Sequence, residues 1–133
     1  MTQSLADLDI LVVEDEFLIA QTIASSMEAA GARNVEFAES LAQAHVVLSE
    51  KWFDVAVLDI RLIDGESWDL ASALAARGVS VVIYSGHIRA ELEQKVPSAV
   101  FLPKPATPNQ LVDAVVRSRR TQGTIEFEAL EEA

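Results

Sequence analysis

Short apolar runs rich in β-branched residues recur along the chain and alternate with longer stretches of helical period. "DILVV" (9–13), "FDVAVLD" (53–59) and "VSVVIYS" (79–85) are too short for ordinary helices and suit strands buried on both faces. "NVEFA" (34–38) and "AVFLP" (99–103) are weaker runs of the same kind. Between them, Ile19, Ile23, Met27 and Ala30 form the stripe of a helix over about 16–30, and Gly31 follows where a left-handed cap is needed. Ser40 reads as the N-cap of a second helix carrying Leu41, Ala44 and Leu48 at helical spacing. A third covers Ser67 to Arg77 and stops at Gly78. A short polar fourth follows Gly86 and must end before Pro97. The fifth has Thr107 as N-cap and Pro108 at its first position, with Leu111, Ala114, Val115 and Ser118 on one side. Five strands separated by single helices imply α/β architecture: a doubly wound parallel sheet joined by right-handed crossovers, with helices on both faces.

A chain of 133 residues, half of them hydrophobic, has room for one core. Without cysteine it uses neither disulfide nor thiolate metal site, and a reducing, cytoplasmic setting is expected. "MTQSLADLDI" has no basic leader followed by an apolar stretch, and no apolar run reaches the roughly 18 residues of a membrane span, so no membrane partner is expected. Twenty-one acids against ten bases give a net charge of −11, which repels nucleic acid phosphates and argues against direct DNA binding. Residues 1–120 are assigned to the domain. "TQGTIEFEALEEA" (121–133) is expected to be a short acidic tail, frayed or disordered at its acidic ending, and not an output domain.

Ligands of doubly wound folds sit at the carboxyl ends of the strands. The first strand is followed by Glu14 and Asp15, the third ends at Asp59, the fourth at Ser85, and Lys104 follows the fifth after Pro103. Three carboxylates gathered at one place repel one another unless a cation lies among them. Magnesium prefers oxygen ligands and keeps waters and phosphate oxygens in its shell, so the set suits phosphoryl chemistry. Three carboxylates, one Mg²⁺ and one lysine balance in charge.

The succession "VVEDE", "VLDIRLIDG", "IYSGH" and "FLPKP", one signature per strand end, resembles the receiver domain of two-component response regulators over about residues 7–120. The resemblance implies a flavodoxin-like fold of receiver type. It implies that Asp59 accepts a phosphoryl group from a histidine kinase or histidine phosphotransfer protein. Asp15, the Asp59 carboxylate and the backbone carbonyl of Arg61 would hold Mg²⁺. Glu14 replaces the more usual aspartate and would reach the metal through water. Ser85 would bond one phosphoryl oxygen and Lys104 another, while Ser85 and Phe101 would form the switch. A stand-alone receiver of this kind signals by protein contacts with a downstream partner, or passes phosphate onward in a relay. It is a phosphoacceptor with self-catalysed transfer and dephosphorylation, not an enzyme acting on other substrates. Two departures, Ile63 where proline is common and Ala106 where an aromatic is frequent, remove no chemistry. The fourth helix offers little apolar surface beyond Ile88, Leu92 and Val96, which weakens the usual output surface.

Each assignment has a plainer rival. Acids after strands are commonly turn formers or N-caps, and a hydroxyl such as Ser85 can serve a turn. Phe101 can be a fixed core aromatic. Lys104 can be a loop charge, although prolines on both sides restrain it. Arg117, Arg119 and Arg120 look like a nucleic-acid patch but fall in the expected last turn of a helix, where cations complement the macrodipole. His45 is expected at the solvent or the core edge. Three other functions compete: a phosphorylation-independent adaptor, an aspartyl phosphatase or phosphotransferase, and a nucleotide-binding module. Such an aspartyl enzyme commonly needs a second acid at position 61, which is Arg, and no glycine-rich loop follows the first strand. Phe17 and Leu18 lie off the core stripe of the first helix, beside the acid pair, and suit docking of the histidine-bearing partner. Arg61 and His87, each two residues beyond a site residue, are placed to gate the water that hydrolyses the phosphoryl group and so to set its lifetime.

Overall fold

The computed structural model describes residues 4–86 and 94–132, with side chains through 120. β1 (Asp9–Val13), β2 (Asn34–Ala38), β3 (Val55–Leu58), β6 (Ser80–Ser85) and β7 (Val100–Pro103) form a five-stranded sheet in the order β2-β1-β3-β6-β7. Every neighbouring pair is parallel. The helices among the described residues are α1 (Phe17–Ala29), α2 (Leu41–Glu50), α3 (Trp68–Ala76) and α4 (Pro108–Glu132). The expected helix after Gly86 lies mostly outside the described residues, as do His87, Ile88 and Leu92.

Strand alternation divides the interior into two cores. Leu11, Val13, Ala56, Leu58, Val81 and Ile83 point to one face, where they pack with Ala44 of α2 and Leu74 of α3. Ile10, Val12, Val55, Val57, Val82 and Tyr84 point to the other, against Ile23 and Met27 of α1 and Leu111 and Val115 of α4. Burial on both faces explains why these strands read as continuous apolar runs.

The capping signals hold. Gly31 has φ +97° after α1. Ser40 Oγ accepts from Gln43 N at 3.1 Å. Thr107 Oγ1 accepts from Gln110 N at 3.1 Å while Gln110 Oε1 accepts from Thr107 N at 2.8 Å, a reciprocal capping box.

The far end of α4 departs from expectation, because the helix, expected to end with the turn of Arg117, Arg119 and Arg120, continues through the acidic segment to Glu132. That segment contains no proline, Glu, Ala and Leu are strong helix formers, and its one glycine costs only about 1 kcal/mol. Arg117, Arg119 and Arg120 therefore lie in mid-helix, with no base in the last turn, and the macrodipole argument does not apply to them. Arg117 Nε instead pairs with Asp113 Oδ2 one turn back at 2.8 Å. Arg119 Nη1 donates to the Asp54 carbonyl at 3.2 Å and to Ser80 Oγ at 3.4 Å, tying α4 to the sheet.

Between β3 and α3 the chain makes an antiparallel ribbon that its sequence did not announce, β4 (Arg61–Leu62) with β5 (Gly65–Glu66). Gly65 turns it with φ +141°, and a Cβ there would lie 3.2 Å from Leu41 Cδ1. Asp64 at its tip accepts from Leu41 N (2.9 Å) through Oδ1 and from Ala42 N (3.0 Å) through Oδ2. These amides open α2 and have no partner within the helix. The two hydrogen bonds hold the Asp64 carboxyl below its usual pKa. A depressed pKa means stability that is present above the unfolded value of 3.8 and lost as pH falls through the folded one. Asp64→Ala is expected to lower the melting temperature at pH 7, with the gap from wild type closing below pH 3.8. Thermal melts followed by circular dichroism across that range measure it.

Candidate functional site at the carboxyl ends of the strands

Register places the site residues. Val13 of β1 is the partner of Leu58 of β3, and Asp59 N donates to the Val13 carbonyl at 3.0 Å, so Glu14 and Asp59 leave the sheet side by side. Ser85 pairs with Pro103 at the end of β6, and Lys104 N donates to the Ser85 carbonyl at 3.1 Å. Lys104 thereby projects across the strand ends toward the acids.

Glu14, Asp15 and Asp59 each offer an oxygen within 4.8 Å of the others. Glu14 is 2% exposed and Asp59 9%, whereas Asp15 is open to solvent. Lys104 Nζ sits 2.9 Å from Glu14 Oε2 and 3.0 Å from Asp59 Oδ2. Burial pushes the Glu14 carboxyl above its usual pKa and outweighs the Lys104 hydrogen bond that opposes it, with the nearby Asp59 charge adding to the rise. Burial disfavours the Lys104 ammonium, but its hydrogen bonds to Glu14 and Asp59 prevail and raise its pKa. Both oxygens of Glu14 have protein partners, since Oε1 accepts from Glu16 N at 3.2 Å. The donor set fits magnesium: all-oxygen, with Lys104 bridging Glu14 and Asp59 and one exposed edge at Asp15 where waters can complete the shell.

Around this pocket, Ser85 is fully buried at the tip of β6. Phe101, the strand partner of Ile83, is partly buried against the core shared with α2 and α3. Arg61 is exposed on the ribbon. Phe17 and Leu18, in the first turn of α1, are 68% and 75% exposed. His45 is exposed on α2, in keeping with its expected place.

Three contributors escaped the sequence analysis. Tyr84 accepts from Ala106 N through its hydroxyl at 3.2 Å and lies with its ring 5.4 Å from Lys104 Nζ, so it steadies the loop that carries the lysine. Asp64 anchors the ribbon. Ser67 Oγ donates to the backbone carbonyl of Asp59 at 2.6 Å. Ser67 had signalled its place, as a helix start, but not its partner.

The profile of the response regulator receiver domain matches residues 10–116. The alginate biosynthesis transcriptional regulatory protein AlgB of Pseudomonas aeruginosa is 32% identical over 129 residues, which cover 92% of this chain and 28% of AlgB. The chain thus spans little more than a quarter of that relative. In fold it is similar to a CheY-like response regulator receiver domain protein from Methanospirillum hungatei, with a TM-score of 0.78 at 22% identity over 90% of this chain and 99% of that one. It is similar also to the chemotaxis response regulator CheY4 of Vibrio cholerae, with a TM-score of 0.76 at 21% identity over 85% of this chain and 99% of the other. With a doubly wound five-stranded sheet, an acid cluster at its strand ends and a profile match over most of its length, the chain belongs to the response regulator receiver domain family.

Proposed function

We propose that the chain is a phosphoacceptor of two-component signalling: Asp59 takes a phosphoryl group from a histidine kinase or histidine phosphotransfer protein, with Mg²⁺ bound by Asp15, Asp59 and the Arg61 carbonyl. The supporting observation is the lysine-bridged pair, in which one ammonium spans Glu14 and Asp59 beside the exposed Asp15. Residues 1–120 are the receiver unit in this reading and 121–133 an acidic extension. Its message passes by protein contacts or onward phosphotransfer, in the cytoplasm. Among the described residues no helix is long and apolar enough to cross a membrane, and the net charge of −11 disfavours DNA as a direct partner.

A metal held by these residues would supply positive charge at the transferring oxygens. Asp59 Oδ attacks phosphorus while the donor's bond to it breaks, and the nitrogen of a histidine donor leaves with the electron pair. Lys104, already on Asp59, would pair with one phosphoryl oxygen, and the Ser85 hydroxyl at the end of the neighbouring strand would bond another. Ser85 and Phe101 then carry the switch, because added charge at Asp59 draws the hydroxyl inward and opens space beside the ring. Arg61, exposed and always charged, can lie over the phosphoryl oxygens and with His87 sets the adduct's lifetime.

Intact mass after incubation with phosphoramidate and Mg²⁺ tests the proposal. A transient adduct of one phosphoryl group supports it; an unchanged mass favours the adaptor alternative, and continuous donor turnover favours an enzyme.

Docking is tested separately. Leu18 at 75% exposure is expected to pack on the helices of the histidine-bearing partner. Leu18→Ala should slow kinase-driven transfer about tenfold while leaving phosphoramidate labelling unchanged, since losing 1–2 kcal/mol of contact is about that factor. Equal slowing of both reactions would remove docking as the cause.

A further inference from the structure

We infer that Ser67 is a positioning residue for phosphoryl uptake, holding the backbone of Asp59 and, through the closed loop between them, the Arg61 carbonyl; this rests on the proposed phosphoacceptor function. Ser67 stands at the N-cap of α3, where a serine ordinarily turns its oxygen to the first free amides of the helix. Its side chain makes no such cap. The backbone explains why: Ser67 has φ −92° and ψ 11°, whereas Ser40, which does cap α2, has the extended φ −153° and ψ 168°.

The hydroxyl is spent instead as a donor to the Asp59 carbonyl at 2.6 Å, inside the protein where Ser67 has no exposed surface. Ser67 N donates to the Ile60 carbonyl at 2.9 Å, so two consecutive carbonyls of the acceptor segment are pinned by one residue. On its other side Asp59 N is held by the Val13 carbonyl at 3.0 Å. The acceptor's peptide groups are thus fixed fore and aft, and the chain from 59 to 67 becomes a closed loop with the β4–β5 ribbon at its tip. Arg61 is the third residue of that loop. Its carbonyl direction is set by the closure, because both ends of the loop are hydrogen-bonded before the ribbon begins. Ser67 also starts α3 by accepting from Ala71 N at 2.8 Å, which makes the helix the rigid body on which the acceptor loop is fastened.

The experiment compares Ser67→Ala with Ser40→Ala, a variant that loses a true helix cap. Mg²⁺ affinity is read by ¹H–¹⁵N NMR titration of the unphosphorylated protein, uptake by intact mass with phosphoramidate, and folding by thermal melts. Ser67→Ala should weaken Mg²⁺ binding and slow uptake, each about tenfold, the usual scale when a supporting partner of a metal site is removed. Ser40→Ala should lower the melting temperature and leave both other values at wild type. Ser67→Thr, which restores the hydroxyl, should recover Mg²⁺ affinity. Should the alanine variant not fold, Ser67→Cys, nearly isosteric with a weak donor, carries the same comparison and should show a partial loss. A folded Ser67→Ala with wild-type Mg²⁺ affinity and uptake would overturn the inference, as would wild-type values in a folded Ser67→Cys. If the wild-type chain itself takes neither Mg²⁺ nor phosphoryl group, the proposed function fails and not the role of Ser67 alone.

Discussion

Asp59→Asn is expected to abolish phosphoryl uptake, leaving only the unmodified mass after incubation with phosphoramidate and Mg²⁺, with the fold intact. The amide has the shape of the acid but no anionic oxygen to attack phosphorus. Neither neighbouring acid can take over at a comparable rate. Glu14 is 2% exposed with both oxygens engaged, and Asp15, though exposed, has no hydrogen bond from Lys104. Two electrostatic effects oppose each other, because the substitution relieves the repulsion that helps raise the Glu14 pKa and gives up one of the two carboxylates that hold Lys104. Lys104 keeps its contact with Glu14 at 2.9 Å. A surviving adduct, located by peptide mapping, would place the acceptor at another residue.

The second large effect is expected from Lys104→Met, which leaves a buried carboxylate facing a second one with no cation between them. Removing one partner of a buried ion pair costs on the order of 3 kcal/mol, so the melting temperature at pH 7 should drop by several degrees. The deficit should depend on pH in a definite direction. The Glu14 pKa already exceeds its reference of 4.5, and loss of Lys104 removes the hydrogen bond that restrains it. The folded variant therefore binds a proton at higher pH than the unfolded chain does, and gains stability relative to wild type as pH falls from 7 toward 4.5. Mg²⁺ should offset the loss as well, with a larger rise in melting temperature for the variant than for wild type, because the ammonium no longer competes for Asp59. Phosphoryl uptake falls at the same time, since nothing replaces the lysine at the transferring oxygens. A deficit that ignores both pH and Mg²⁺ would show that the lysine matters through packing alone.

How much of this was legible in the sequence follows from the range of the interactions involved. Apolar runs and caps are local, so the five strands, the helix starts at Ser40 and Thr107 and the stop at Gly31 could all be read directly. Asp59, Glu14, Asp15 and Lys104 could be grouped because parallel topology delivers every strand end to one edge. What stayed hidden joins distant residues without any repeating pattern. Asp64 caps a helix 22 and 23 residues earlier in the chain, and nothing about an Asp-Gly pair tells which amides it will meet. Ser67 reads only as the start of the third helix, and nothing in its neighbours tells that its torsion angles send the hydroxyl to the Asp59 carbonyl. The β4–β5 ribbon has two residues per strand, too few for a period to emerge. The run of α4 past Arg120 is hidden by composition, since an acidic segment reads as a tail although its Glu, Ala and Leu are good helix formers.

The two-core sheet constrains how chain length can vary in this lineage. Inserting or deleting one residue within β3 would exchange Val57 and Leu58 between the cores and turn Asp59 away from Glu14 and Lys104. Packing and chemistry would be lost in one event, and no single substitution elsewhere restores a register. Length changes are therefore expected at the opposite edge of the sheet, in the turn before β3 around Trp52, which is 49% exposed and contributes nothing to the pocket. Aligned relatives should show gaps there and none between Val55 and Asp59.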